Sequence, residues 1–189
     1  MKLIIASNNQ HKIYEIKKIL GAKFDEILSI REAGIEHETV EDGSTFMENA
    51  VKKAREIAEI SGSYALADDS GICANALDGA PGIYSARFSG GTDEDNNNLL
   101  LEKLSDKQDK SAHYTCAMAL CSPEGKLTLA EGYMYGTITE HRRGERGFGY
   151  DPLFIPLGET RTVAEMTDEE KNAISHRANA LALLLERLG

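Results

Sequence analysis

The chain is short of the residues that staple, kink or anchor a fold. It contains no tryptophan, four prolines and three cysteines in 189 residues. An odd cysteine count, with Cys73, Cys116 and Cys121 at neither metal-ligand nor redox spacing, excludes a disulfide framework. The thiols read as reduced and mostly buried. No apolar run is long enough to span a bilayer. The opening MKLIIASNN turns polar too early for the core of a signal peptide, so the cytoplasm is the expected compartment. Basic residues are also scarce: 21 Lys and Arg against 31 Asp and Glu leave a formal charge of −10. That balance argues against nucleic acid or a membrane surface as a partner, since both are anionic. It still admits a small polyphosphate, held in a local basic pocket with a divalent cation between it and protein carboxylates. Neither a Walker A pattern nor GxGxxG is present, so neither standard phosphate loop applies.

What is there is ordinary globular material, 41% apolar and 28% charged. The length suits one domain, residues 1–189, with or without two lobes, and such a chain can bury a core unaided. Leu3 to Ala6 reads as a buried strand ending in the turn Ser7-Asn8-Asn9. Ile13, Ile16, Ile19 and Leu20 then recur at helical spacing, which makes a strand–turn–helix opening of the α/β kind. Thr45 with Glu48 is a capping box, and Gly62 is a stop signal, so a helix is expected from Thr45 to Ser61. Tyr64-Ala65-Leu66-Ala67 reads as a second buried strand that stops at Asp68-Asp69-Ser70-Gly71. Thr92 heads a helix with acids in its first turn. Strands are expected at 113–121 and 127–138 around the turn Ser122-Pro123-Glu124-Gly125. Thr167 and Glu170 cap one last helix, whose stripe would be Ile174, Ala178, Leu181, Leu185 and Leu188.

Chemistry could reside in several places. Asp68-Asp69 at a strand end puts carboxylates where open α/β sheets place their sites. Neighbours on a strand face opposite sides, so one of the two would face the site. Glu41-Asp42 before a helix could join it as hard oxygen ligands for Mg²⁺. Ser7-Asn8-Asn9 with Lys12 at a helix start suits a phosphate. The glycine-rich loop Gly144–Pro152 carries Phe148 and Tyr150, which could stack on a base. Each segment alone also fits a plainer reading: a solvated turn, a helix start, a hairpin connection, a polar helix face.

Taken together the segments are more specific. Ser7-Asn8-Asn9-Gln10-His11-Lys12, Glu41-Asp42-Gly43-Ser44-Thr45-Phe46 running into Glu48-Asn49-Ala50 and Lys53-Ala54, Ala67-Asp68-Asp69-Ser70-Gly71, Gly79 to Arg87, Gly147-Phe148-Gly149-Tyr150-Asp151-Pro152 and Ile174-Ser175-His176-Arg177 stand in order along nearly the whole chain. In this the chain resembles the inosine triphosphate pyrophosphatase family. The family usually has Thr-Gly where this chain has Glu145-Arg146.

The resemblance implies an elongated two-lobed α/β fold with a central mixed sheet flanked by helices, a cleft between the lobes, and a homodimer. It implies Mg²⁺ and hydrolysis of deaminated purine triphosphates (ITP, dITP, XTP) between the α- and β-phosphates. By motif, Ser7, Asn8, Asn9, Gln10, His11 and Lys12 would bind the triphosphate, with Lys53 adding positive charge. Glu41 and Asp69 would hold the metal, with Asp42 and Asp68 as open alternatives to Glu41. Asp69 would also accept the proton of the attacking water, with Ser70 beside the substrate. Phe148 would stack on the base, Gly149, Tyr150 and Asp151 would complete that wall, and Lys171, His176 and Arg177 would read the base edge. A carboxylate beside a cation keeps a low pKa, so Asp69 is expected to be ionised at neutral pH. Rival readings are a pyrophosphatase for another modified nucleotide, a non-catalytic nucleotide-binding module, and a plain structural or partner-binding domain.

Overall fold

The computed structural model describes residues 1–188, and Gly189, the last residue of the expected domain, lies outside the described residues. Strand β1 (Lys2–Ile5) forms from a short run because Leu3, Ile4 and Ile5 are all fully buried. Helix α1 (Gln10–Leu20) starts at Asn9, whose side-chain carbonyl accepts the N–H groups of His11 and Lys12. Strand β2 (Glu26–Ser29) follows, and then a stretch with neither helix nor strand before α2 (Phe46–Ser61). The boundaries of α2 are those expected: Thr45 accepts from the Glu48 N–H, and Gly62 closes the helix in a left-handed conformation. The Glu48 carboxylate reaches one residue further back than a capping box requires, taking the N–H and hydroxyl of Ser44 at 2.7 and 2.8 Å.

Strand β3 (Tyr64–Ala74) precedes helix α3 (Asp93–Leu104), whose capping box joins Thr92 and Asp95. Strands β4 (Ser111–Cys121) and β5 (Leu127–Ile138) flank the expected turn, and β6 (Phe154–Pro156) completes the strands. Helices α4 (Asp168–Ile174) and α5 (His176–Leu188) end the described chain. The strand order is β2-β1-β3-β4-β5-β6. Strand β1 pairs parallel with β2 and with β3, while β5 and β6 pair antiparallel, so the sheet is mixed as expected.

Two elements differ from the sequence reading. First, β3 does not stop at Asp68 but runs eleven residues, through Asp68-Asp69-Ser70-Gly71. Four residues that look like a turn continue as strand because partners from helices neutralise the two carboxylates. Second, the terminal helix is two helices. Ser175 takes an extended conformation, φ −66° and ψ 151°, between α4 and α5. Apolar periodicity runs straight across this break and so hides it. The buried stripe of α5 is consequently Ala180, Leu181 and Leu184, whereas Ile174 and Leu188 are exposed.

The chain forms two compact units. The first comprises 1–69, 116–132 and the chain from Arg177 onward, and the second 70–115 and 133–176. Within the first unit, side chains of alternate parity leave β1 and β3 on opposite faces. Leu3, Ile5 and Leu66 pack with Ile13 and Ile16 of α1 and Leu181 of α5. Ile4, Ala65 and Ala67 pack with Ala50, Ala54 and Ile57 of α2. The second unit has its own core of Ile72, Leu100, Tyr114, Met134, Leu153 and Phe154, among others. All three cysteines are free thiols, and Cys116 and Cys121 are buried. No helix among the described residues is long and apolar enough to cross a membrane.

Phe154 is fully buried and meets the Tyr114 ring edge-on at 4.8 Å between centroids. Phe154→Ala is expected to cost about 3–5 kcal/mol in urea unfolding. Leu157→Ala, at a residue 84% exposed, is expected to stay within about 0.5 kcal/mol of the parent.

Candidate active site

In the first unit the parity of β3 sends its two carboxylates to different places. Asp68 shares the side of Leu66, towards α1 and α5. Its Oδ2 lies 2.9 Å from Lys12 Nζ and 3.3 Å from the Arg177 guanidinium, and Arg177 also pairs with Glu15 of α1. Burial alone would raise the Asp68 pKa, but Lys12, Arg177 and Lys53 more than offset it and hold the carboxyl far below the usual aspartate value. Arg177, wholly buried, is held charged by Asp68 and Glu15 against the same penalty.

Asp69 shares the side of Ala67, towards α2. The Asn49 amide donates to its Oδ2 at 2.9 Å, and Lys53 Nζ lies 3.9 Å from its Oδ1 and 3.2 Å from Glu41 Oε2. Burial lifts the Asp69 carboxyl above its ordinary value, and Lys53 and the Asn49 amide offset only part of the lift. Among the protein's own groups, desolvation outweighs the attraction of Lys53 at 3.9 Å, and the Glu41 charge adds to the lift. A raised pKa makes the ionised form a better proton acceptor.

The alternatives to Glu41 are also separated. Asp42 turns outward to Lys52 at 2.7 Å and is 69% exposed, while Asp68 lies on the far face of the strand. Glu41 and Asp69 are thus the carboxylates that share Lys53. No group of three or more His, Cys, Asp or Glu side chains suited to a metal occurs among the described residues. Glu41 and Asp69 are hard oxygen ligands of the kind that could hold a divalent cation together with substrate phosphates.

The turn before α1 is more self-contained than expected. The N–H groups of His11 and Lys12 are taken by Asn9 Oδ1 at 3.0 and 3.2 Å, and the Asn9 N–H by Ser7 Oγ at 3.1 Å. Asn9 therefore offers a ligand its amide donors, not its carbonyl. Asn8, Gln10 and His11 are exposed beside it, and Ser7 is half-buried.

The second unit holds the remaining candidates around a buried carboxylate. Asp151 accepts from Lys171 Nζ at 2.9 Å, the Phe148 N–H at 3.1 Å and the Tyr114 hydroxyl at 3.1 Å. Lys171 Nζ also sits 4.7 Å from the centre of the Phe148 ring. His176 stacks on Tyr114, 4.6 Å between centroids at 11°. Gly149 is gripped from α3 on both of its backbone groups, its N–H by Asp93 at 2.9 Å and its carbonyl by Asn97 at 3.2 Å. Tyr150 is buried and donates to the Ser85 carbonyl at 2.7 Å. Gly147 has φ +74°, and a Cβ there would lie 2.1 Å from Asp151 Oδ2, so the loop closes over Asp151 only with glycine at that position. Ser70, the first residue of this unit, is half-buried within β3.

The Ser175-His176-Arg177 motif is therefore divided, with His176 among the aromatic rings of the second unit and Arg177 among the carboxylates of the first. Sequence reasoning passed over Glu15, Asn49, Tyr114, Asp93 and Asn97 as contributors. Asn49 lies within the Glu48-Asn49-Ala50 motif, and Asp93 lies in a first helical turn whose acids also suit the helix dipole. Glu15 and Tyr114 gave no signal, because their partners are remote in sequence.

Asp68→Asn removes the carboxylate from two buried cations and is expected to destabilise the fold by about 3–5 kcal/mol. The pKa of this carboxyl is depressed in the folded state relative to about 3.9 in the unfolded chain. Its stabilisation is thus complete above that value and is lost as the pH falls beneath it. Denaturant titrations of parent and variant at pH 7 and pH 3 are expected to show the gap narrowing at the lower pH.

Residues 3–187 match the model of the Ham1 family. The dITP/XTP pyrophosphatase of Clostridium perfringens is 48% identical over 197 residues, spanning 99% of this chain and 97% of that protein. That of Leuconostoc mesenteroides is 47% identical, spanning 100% and 96%. Among solved structures, the Ham1 protein of Staphylococcus aureus has a TM-score of 0.89 at 39% identity, covering 100% of this chain and 98% of its own. A HAM1 protein from Coxiella burnetii has a TM-score of 0.90 at 38% identity, with the same coverage. With its motifs, its fold and a full-length match in agreement, the chain belongs to the Ham1 family.

Proposed function

We propose that this chain is a dITP/XTP pyrophosphatase, a hydrolase that removes deaminated purine triphosphates (dITP, ITP, XTP) from the nucleotide pool as monophosphate and pyrophosphate, before they enter DNA or RNA. The observation that carries the reading is Asp69, a buried carboxylate hydrogen-bonded to Asn49 and grouped with Glu41 around Lys53. A pure binding module needs no water-activating carboxylate, which favours chemistry over that rival. The names of the full-length relatives support the substrate class over another modified nucleotide.

In this reading Asp69 orients the attacking water and takes its proton. The water oxygen bonds to the α-phosphorus, the α–β anhydride breaks, and its electron pair leaves with the pyrophosphate. Glu41 and Asp69 would hold Mg²⁺, which when bound neutralises phosphate charge and polarises the bond that breaks. Lys12 and Lys53 supply further positive charge, and Ser7, Asn8, Asn9, Gln10 and His11 donate to the phosphates. Ser70 follows Asp69 directly and stands beside the substrate.

At the other end of the substrate Phe148 stacks on the base, and Gly149, Tyr150 and Asp151 shape the wall that holds it. Lys171 and His176 read the base edge. The Lys171 ammonium only donates, so it pairs with the 6-oxo group of hypoxanthine or xanthine and finds no acceptor in the 6-amino group of adenine. A site built on such a bond rejects the mismatched base strongly. Arg177 would have to exchange one of its carboxylates for the base to do the same. The enzyme works in the cytoplasm as a homodimer, and the partly exposed ring cluster of His113, Tyr133 and Tyr135 suits a second copy.

With Mg²⁺ present, dITP, ITP and XTP are expected to yield pyrophosphate and no free phosphate, with ATP and GTP turned over far more slowly. Asp69→Asn is expected to lower kcat by about 10²–10⁴-fold with the fold intact. Equal rates on ATP and dITP would sink the assignment of the base. Phe148→Ala is expected to weaken nucleotide binding by about 1–3 kcal/mol, read as a raised KM.

A further inference from the structure

We infer that Asn49 is a positioning residue, whose single carboxamide locks Asp69 to the loop that carries Glu41 and so holds the two carboxylates as a pair. This inference rests on the reading of Glu41 and Asp69 as metal ligands. Asn49 is 1% exposed and uses both ends of its amide. Its Nδ2 donates to Asp69 Oδ2 at 2.9 Å, and its Oδ1 accepts the Gly43 N–H at 2.8 Å. With Oδ2 engaged in this way, the other oxygen of Asp69 is the one paired with Lys53, which also pairs with Glu41.

Gly43 supplies an independent sign of the same constraint. A Cβ at that position would lie 2.6 Å from Asn49 Oδ1 and 2.9 Å from Glu48 Cβ. Its φ is not in the left-handed region, so the glycine is there for proximity and not for its backbone angle. The amide and the loop therefore meet at a distance that no other residue type at 43 allows without a shift.

The need for such a lock follows from the path of the chain. Glu41 lies in a segment with neither helix nor strand, between β2 and α2, and Asp69 lies in the middle of β3. Nothing in the backbone ties the one to the other. The neighbouring side chains of α2 hold the loop elsewhere: Lys52 to Asp42, and Glu56 to His37 and Thr39. Lys53 bridges Glu41 and Asp69 by charge alone, at 3.2 and 3.9 Å, which sets no angle. Asn49 joins strand to loop through two directed bonds, and an amide can do so because it carries a donor and an acceptor in one plane. A neutral side chain also leaves both carboxylate charges available to a cation.

The full chain tests this with Mn²⁺ as a paramagnetic probe, its binding read from loss of the free-ion resonance, alongside Mg²⁺ titrations of dITP turnover. Asn49→Ala and Gly43→Ala are each expected to weaken Mn²⁺ binding by about ten- to a hundredfold. The Mg²⁺ concentration for half-maximal turnover is expected to rise in step, while KM for dITP at saturating Mg²⁺ changes little. Asn49→Gln, which keeps donor and acceptor, is expected to regain part of the loss. Should the buried Asn49→Ala chain not fold, Gly43→Ala, a change in the loop, carries the test. Folded variants that bind Mn²⁺ as the parent does, or an Asn49→Gln variant no better than a folded Asn49→Ala, would overturn the inference. A parent that neither binds Mn²⁺ nor cleaves dITP would instead overturn the functional reading beneath it.

Discussion

Two adjacent carboxylates in the middle of a buried strand are the constraint on which the first unit depends. Asp68 and Asp69 are 2% and 8% exposed, and an ionised carboxylate without a partner does not survive there. Because neighbours on a strand face opposite ways, the chain has to supply partners on both sides of the sheet. Lys12 from α1 and Arg177 from α5 meet one, and Lys53 and Asn49 from α2 meet the other. Three helices are thereby tied to one strand through polar contacts, on top of the apolar packing that brings them there.

The two faces divide the chemistry. Asp68 is saturated by cations, its pKa is driven down, and it is spent on structure. Asp69 accepts from the Asn49 amide and lies farther from its ammonium, and burial raises its pKa. Residue type does not separate these two aspartates; the charge and distance of their partners do. The second unit repeats the device with Asp151, a buried carboxylate that takes Lys171, the Tyr114 hydroxyl and the Phe148 N–H, and so orders the aromatic loop above it.

Local signals were legible where the chemistry was local. Thr45 and Gly62 delimit α2, Thr92 begins α3, and the turn after Cys121 separates β4 from β5, each through bonds within a few residues. They failed where a distant partner decided the outcome. Asp68-Asp69-Ser70-Gly71 has the composition of a turn, yet continues as strand because Lys12, Lys53 and Arg177 neutralise it. Ser175 interrupts a run whose apolar spacing is unbroken, and so the expected stripe holds at Leu181 and Leu185 but fails at its ends, Ile174 and Leu188.

The candidate site divides along the same line. The order and content of its motifs, and with them the family, could be read from the sequence, and the gathering of Glu41, Lys53 and Asp69 followed only as what the resemblance implies. The partners of those residues could not. Arg177 and Glu15 are 162 positions apart and Asn49 and Asp69 are 20 apart. Hydrogen bonds and ion pairs depend on distances of a few ångströms, which spacing along the chain does not encode. Only the folded packing of α1, α2 and α5 around β3 decided which aspartate meets two cations and which meets an amide and a more distant ammonium.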